Sequence, residues 1–333
     1  MELYGEVADD YRDFAEYADG DSATFADWAR GVAADDEVRA WIAQLPQLKQ
    51  QPNLVFAAAR WHGVPAPGPY AGLRDALLSD DGTIRRTILT RATQTNEVGR
   101  LATLVPAFAT VAGDDSSPGS SGHPLALIEV GASAGLNLFP DRWGYAWVTH
   151  DGPVTLGPEE PRLTCRVTGP APLPDRLPEI AWRGGVDLNP LDVTDDDAMA
   201  WLATLVWPEH DDRRAQLEKA VALARTDPPA LVRGDLLEEL PGLIDRAAAY
   251  APEVVVFHSA VIAYLDDPGR RRFAAMMADL VDSGACHWVS NEGRRVLPGV
   301  TGDLDVPSGR FVLGVDGRAV AHTHGHGRSL TWL

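Results

Sequence analysis

Hydrophobic residues follow two different patterns along the chain. Over residues 1–112 they recur at intervals of three and four, as across residues 38–45 and again across residues 88–108. This spacing gathers apolar side chains on one face of a helix. We therefore predict that residues 1–112 form an all-helical domain that caps the pocket of the domain after it.

After residue 123 the apolar runs become short, and most are followed by a helical pattern. The predicted strands are residues 125–130, 181–188, 230–233, 254–258 and 286–290. Such alternation is typical of a mostly parallel sheet covered by helices. Asp316-Gly317, which lies between two further apolar runs, predicts a C-terminal antiparallel hairpin. The expected fold class is α/β, with a Rossmann-like sheet.

Two segments do not follow either pattern. Residues 113–122 are almost all Gly, Ser and Asp, which predicts a linker between the two domains. Residues 142–180 combine alternating aromatic residues with a proline-rich stretch. We interpret them as a β-ribbon inserted into the second domain, which spans residues 123–333.

Charge and composition narrow the classes of partner. The formal net charge of −19 disfavours a nucleic-acid partner, because phosphate backbones would be repelled. The only two cysteines are not in a metal-binding or disulfide-rich spacing, which is typical of a reducing cytoplasm. No apolar run is long enough to cross a bilayer, so no membrane role is expected. A small-molecule substrate is the partner that this composition favours, and the oligomeric state stays open.

A glycine-rich turn follows the first predicted strand, with Glu129, Gly131, Ser133 and Gly135 at its key positions. The sequence Gly-x-Ser-x-Gly is typical of the nucleophile elbow of a serine hydrolase, with Ser133 as the nucleophile. That fold requires strands before the elbow, and the preceding residues have a helical pattern. A first strand that runs into a glycine turn is instead typical of nucleotide-binding domains, where glycine allows close approach of the ligand.

The turn resembles that of class I S-adenosylmethionine-dependent methyltransferases, and other strand ends extend this resemblance. Asp187 ends the second predicted strand, where the resemblance implies an acid that accepts hydrogen bonds from the ribose hydroxyls. Asp151 has the more usual spacing from the turn but the poorer context, so the choice between them stays open. The residues implied for cofactor binding are Glu129, Gly131, Ser133, Gly135, Asn137, Asp187, Asn189 and Asp235.

Candidate catalytic residues lie at the fourth predicted strand and near the end of the helical part. His258 could act as a general base near neutral pH, with Glu97 as a second candidate. The predicted substrate-binding residues are Gln94, Asn96, Arg100 and Ser259. His322, His324 and His326 would share one face of a strand, but we favour a polar edge strand over a metal site there.

Several motifs together resemble one bacterial family, catalogued only as domain of unknown function number twenty-three thirty-two. The motifs are residues 94–100, 129–137, 187–192, 207–208 and 288–293. The resemblance covers nearly the whole chain but implies no activity. Our expectation is a methyltransferase that uses S-adenosylmethionine and a small-molecule acceptor. The alternatives are a serine hydrolase and an inactive ligand-binding protein of the same fold.

Overall fold

The computed structural model describes residues 6–94, 96–113 and 122–333. Contacts divide the chain into a helical unit, Met1–Thr95 with Asp196–Ala215, and a sheet unit, Asn96–Asp195 with Gln216–Leu333. The helices are α1 Val7–Ala18, α2 Ala23–Ala34, α3 Asp36–Ile42, α4 Pro52–Trp61, α5 Tyr70–Leu78, α6 Thr83–Thr90, α7 Leu101–Val111, α8 Asp196–Leu205, α9 Asp211–Thr226, α10 Leu236–Ala247, α11 Asp267–Asp282 and α12 Pro298–Thr301.

Aromatic side chains form the core of the helical unit. The Phe56 ring lies 5.1–6.0 Å from the rings of Tyr11, Phe14, Phe25 and Trp28, in edge-on or T-shaped arrangements. Aromatic pairs prefer this geometry, and each buries a large apolar area. The local sequence also sets the helix starts, since Ser22 accepts a hydrogen bond from the Phe25 N–H at the beginning of α2.

The sheet unit contains a single mixed sheet of eleven strands among the described residues. The strands are β1 Leu125–Val130, β2 Gly144–Thr149, β3 Gly152–Leu156, β4 Arg162–Thr168, β5 Ile180–Asp187, β6 Ala230–Arg233, β7 Glu253–Ser259, β8 His287–Gly293, β9 Arg310–Val315, β10 Arg318–His324 and β11 Ser329–Trp332. Their order is β3-β2-β4-β11-β10-β9-β8-β7-β1-β5-β6. Six of these ten neighbouring pairs are parallel, and β8 to β11 pair antiparallel. The predicted α/β class and C-terminal hairpin are confirmed.

Three strands, β2, β3 and β4, lie at one edge of this same sheet, in the segment where we expected a β-ribbon. β2 pairs with β3 antiparallel and with β4 parallel, and β4 joins the rest of the sheet through a parallel pairing with β11. Stacked Tyr145 and Trp147 rings, 5.1 Å apart, are fully buried. The alternating aromatic residues therefore mark the inward face of a strand.

The boundary of the sheet unit differs from the predicted one. Residues 96–112, expected in the helical domain, group with the sheet, and Asp196–Ala215 group with the helices. The reason is visible in α7, whose residues are buried almost throughout, as in a helix that is covered on most sides. Trp147 Nε1 donates to the Ala102 carbonyl at 2.8 Å. Of the predicted linker, residues 114–121 lie outside the described residues.

None of the helices in the described ranges has the length and apolar character that crossing a membrane requires.

A charged pair attaches the C-terminal hairpin to β8. Asp316, in the turn between β9 and β10, accepts hydrogen bonds from the Trp288 N–H and from His287 Nδ1, both at 2.8 Å. The hydrogen bond that His287 donates to Asp316 raises the pKa of His287, and Glu253, 3.4 Å from Nε2, acts in the same direction. His287 thus stabilises the fold when it is protonated.

We expect His287→Gln to lower the free energy of unfolding by about 0.5–1 kcal/mol at pH 6, since the pair is partly exposed. The pKa of His287 is raised in the folded state, so its contribution is complete below the unfolded pKa, near 6.5, and is lost as the pH rises through the folded pKa. Urea denaturation at pH 6 and pH 9 measures this difference. His150→Gln, at a fully exposed position, should change nothing, and an equal loss at both pH values would contradict this role of His287.

Candidate active site at the carboxyl edge of the sheet

Buried polar residues collect at one edge of the sheet, where β1, β7, β8 and β10 end. They are Glu129, His258, Ser259, Asn291, Glu292 and Thr323, each at most 8% exposed. Carboxyl ends of parallel strands meet at the same edge, and β10 runs parallel to β8 because both pair antiparallel with β9. Burying so many polar groups is costly unless they are paired or used. This edge is therefore the candidate site.

The glycine turn after β1 has a left-handed backbone at three positions. φ is 69° at Gly131, 51° at Ser133 and 68° at Gly135. Glycine adopts this conformation without strain, whereas for serine it is uncommon. A Cβ atom at Gly131 would lie 2.5 Å from the Val261 side chain, so glycine is also required by space.

Asp187, at the end of β5, holds this turn. Its Oδ2 accepts a hydrogen bond from the Ser133 N–H at 2.8 Å, and its Oδ1 accepts one from the Asn189 N–H at 2.7 Å. The inserted strands β2, β3 and β4 account for the long separation in sequence between Asp187 and the turn. Asp151 lies instead next to β3, with a 97% exposed side chain. The structure thus brings Asp187 to the glycine turn.

Asn96 covers the turn from the segment before α7. Its Nδ2 donates to Ser133 Oγ at 2.7 Å, and its Oδ1 accepts from the Ala134 N–H at 3.3 Å. The partner of the Ser133 hydroxyl is therefore an amide, which cannot act as a base. Within residues 6–94 and 96–113 there is no strand that could precede a nucleophile elbow.

Glu129 is 5% exposed, and its Oε1 accepts a hydrogen bond from Asn137 Nδ2 at 2.9 Å. Within the described part of the chain, Glu129 Oε2 and Asn137 Oδ1 are buried without a hydrogen-bond partner. Burial raises the pKa of Glu129 to about 8, although Asn137 and Arg100 act in the opposite direction. Glu129 is consequently protonated at neutral pH, and the pair retains hydrogen-bonding capacity that a ligand could use.

Glu97 and Arg100 connect this region with the end of β10. Glu97 Oε2 lies 3.0 Å from His326 Nδ1, and both side chains are largely buried. Arg100 donates from Nε to the Gly325 carbonyl at 2.8 Å and from Nη1 to the Ser259 carbonyl at 2.9 Å. The structure therefore brings together a carboxylate and an imidazole that the sequence analysis did not pair.

His258 has a different environment from the one expected of a general base. It is fully buried, its Nδ1 lies 2.7 Å from Glu292 Oε1, and its Nε2 accepts a hydrogen bond from Trp288 Nε1 at 3.0 Å. Glu292 Oε1 also accepts the N–H groups of Val261 and Ile262. Because both ring nitrogens are engaged inside the core, this geometry favours a structural role for His258.

The remaining predicted site residues lie in several places. Ser259 Oγ accepts a hydrogen bond from Asn291 Nδ2 at 2.9 Å, within the buried polar group. Asn189 is exposed, and its side chain accepts from Arg233 at 3.0 Å. Asp235 begins α10 as its N-cap, accepting the Leu237 N–H at 2.8 Å. Gln94 belongs to the helical unit.

Two of the histidines near the C-terminus, His324 and His326, lie side by side. His324 Nδ1 accepts a hydrogen bond from the His326 N–H at 3.0 Å, and the two rings are 5.5 Å apart. No group of three His, Cys, Asp or Glu residues that could hold a metal ion occurs within the described ranges. The His326 ring contacts the Glu97 carboxylate, and through this contact it belongs to the candidate site.

These observations define an α/β protein with a mixed sheet and a buried polar cluster at its carboxyl edge. A family model described as "Uncharacterized protein conserved in bacteria (DUF2332)" matches residues 8–332. The chain belongs to this family, as its motifs predicted. No curated protein and no solved structure matches it.

We expect Glu129→Gln to change how stability depends on pH. A carboxyl group whose pKa is raised to about 8 stabilises the folded state below its unfolded pKa, near 4.5, and this contribution is lost as the pH rises to 8. The wild-type free energy of unfolding should therefore fall between pH 5 and pH 8.5 relative to Glu129→Gln, on the order of a few kcal/mol. Chemical denaturation at a series of pH values measures it.

Glu238→Gln is the matched control, because Glu238 is exposed on α10 and the same change there should leave the pH profile unaltered. A constant difference between wild type and Glu129→Gln across this pH range would show that Glu129 does not titrate as the buried geometry requires.

Proposed function

We propose that the protein is an S-adenosylmethionine-dependent methyltransferase that acts on a small molecule. The observation that carries this proposal is the position of Asp187 at the glycine turn after β1. A carboxylate from the second strand, beside a glycine turn from the first, is suited to accept hydrogen bonds from a ribose.

Strand order supports the same proposal. Counted along the chain, β1, β5, β6, β7 and β8 are five parallel strands, and they lie in the order third, second, first, fourth, fifth. This is the order of doubly wound nucleotide-binding sheets, whose ligands bind where the order reverses. Here the reversal falls between β1 and β7, where Glu129, Gly131 and Ser259 lie.

The turn itself favours this cofactor over a dinucleotide. After Gly135 the chain forms two short 3₁₀ turns, Leu136–Leu138 and Pro140–Arg142, so no long helix directs its N-terminus at the ligand. A pyrophosphate would need that helix end, whereas S-adenosylmethionine has no phosphate. Asn137 Oδ1, buried without a partner among the described residues, is suited to accept a hydrogen bond from its amino group, and the ammonium charge would favour the ionised form of Glu129 beside it.

The chain's own residues would perform two tasks. Glu129, Asn137, Asp187 and the glycine turn would hold the cofactor, which supplies an electrophilic methyl group when bound. Glu97 and His326 form the carboxylate–imidazole pair that can take a proton from the acceptor. Most of the rate enhancement would come from positioning, because methyl transfer requires an in-line arrangement of the acceptor atom.

We expect saturable binding of S-adenosylmethionine and S-adenosylhomocysteine in isothermal titration calorimetry. Asp187→Asn should weaken binding roughly tenfold, because one charge-assisted acceptor is lost. Asp151→Asn is the matched control, since Asp151 is the acid with the more usual sequence spacing and lies exposed next to β3. Equal affinities of the two variants, or no binding to the wild type at millimolar ligand, would overturn the proposal.

A serine hydrolase is the second candidate, because Ser133 follows a strand and has the left-handed φ of a nucleophile elbow. Its hydroxyl accepts a hydrogen bond from Asn96. Labelling of the wild type but not of Ser133→Ala by a fluorophosphonate probe would favour this candidate. We expect no difference in labelling between the two proteins.

A further inference from the structure

We propose that the sheet unit has a second binding site, a groove beside α11 that takes a small molecule with an apolar body and an anionic group. The groove is a cavity of about 690 Å³. This volume is within the range of small-molecule sites in proteins. All of its lining residues belong to the sheet unit, on α11, β8, the β9–β10 turn and residues 295–300.

Apolar side chains form one part of the lining. They include Ala274 and Ala278 of α11, Trp288 of β8, Leu297 just before α12, and Val300 of α12. Trp288 and Leu297 are almost fully buried, whereas Ala278 is exposed. Trp288 is also fixed in place, because its Nε1 donates to His258 Nε2 at 3.0 Å. The groove therefore offers a preformed apolar surface to a ligand.

Positive charge forms the other part. Arg270, Arg271 and Arg295 line the groove together with a single acid, Asp267, so the charged lining residues carry a net charge of 3 − 1 = +2. The whole chain has a net charge of −19, so the groove carries local charge of the opposite sign. Within the described ranges, neither Arg271 nor Arg295 forms an ion pair, and both are exposed.

These two properties together define the ligand class. An apolar wall favours a hydrocarbon or ring system, and guanidinium groups at the rim favour a carboxylate or sulfonate by charge-assisted hydrogen bonds. A cation of the same shape would be repelled. This site is separate from the glycine turn, so the proposal does not depend on the proposed methyltransferase activity.

The test uses the fluorescent anion anilinonaphthalene sulfonate as a probe, with decanoate and decyltrimethylammonium as competitors of equal chain length. We expect saturable fluorescence enhancement that decanoate displaces and decyltrimethylammonium does not. The double variant Arg271→Gln, Arg295→Gln should bind the probe roughly tenfold more weakly. Arg272→Gln is the matched control, because Arg272 is the exposed next residue of α11 and does not line the groove.

A second pair of variants tests the apolar part without altering charge. Ala278→Trp should fill the groove and weaken probe binding, whereas Ala275→Trp, at an exposed position outside the lining, should leave it unchanged. Circular dichroism checks that all variants are folded. Unchanged probe affinity in both Arg271→Gln, Arg295→Gln and Ala278→Trp, or equal displacement by the two competitors, would overturn the proposal. Sedimentation with anionic vesicles that decanoate does not compete would likewise overturn it, in favour of a membrane surface.

Discussion

The carboxyl edge of the sheet depends on the hydrogen bonds that the Asp187 carboxylate accepts from two backbone N–H groups. They join the loop after β5 to the glycine turn after β1 and fix the left-handed conformation of Ser133. A carboxylate is well suited to this position because it only accepts hydrogen bonds and has spare lone pairs. The same group can thus hold the turn and still face a ligand.

Around this turn, the protein buries polar groups, although burying apolar side chains there would cost less desolvation free energy. Glu129, Glu97 and Glu292 are all at most 5% exposed. Each buried carboxyl is partnered differently: Glu129 by an amide, Glu97 by an imidazole, and Glu292 by an imidazole and two N–H groups. Glu292 Oε1 is engaged by three partners within the core, whereas Glu129 Oε1 has one amide partner. Among the described residues, Oε2 of both carboxyl groups is buried without a hydrogen-bond partner.

Much of the fold could be predicted from the sequence, because local patterns determine it. Apolar residues at intervals of three and four predicted the helices before β1. Short apolar runs predicted β1, β5, β6, β7 and β8, and Asp316-Gly317 predicted the hairpin. The placement of α7 could not be predicted in this way, because a helix that is apolar on most sides carries no signal about which neighbour it packs against. The joining of β4 to β11 likewise depends on pairing between distant segments.

The site was predictable only where its chemistry is local. The glycine turn and the acids at strand ends are visible as motifs, which is why Glu129 and Asp187 could be proposed. The proximity of Glu97 and His326 arises from the approach of two remote segments, although the closely spaced histidines near the C-terminus were a visible signal.

The environment of His258 could not be predicted from the sequence. A histidine at a strand end has the same sequence pattern whether it faces a ligand or the core. In this fold it links two regions: its Nδ1 contacts Glu292, which holds the Val261 N–H beside Gly131, and its Nε2 contacts Trp288, which lines the groove beside α11. Replacing Glu292 or Trp288 would leave a buried nitrogen of His258 without a hydrogen bond, which costs free energy. The hydrogen bonds of His258 to these two residues therefore hold one another in place. These contacts favour a structural role for His258, which supports the backbone of Val261 beside the glycine turn.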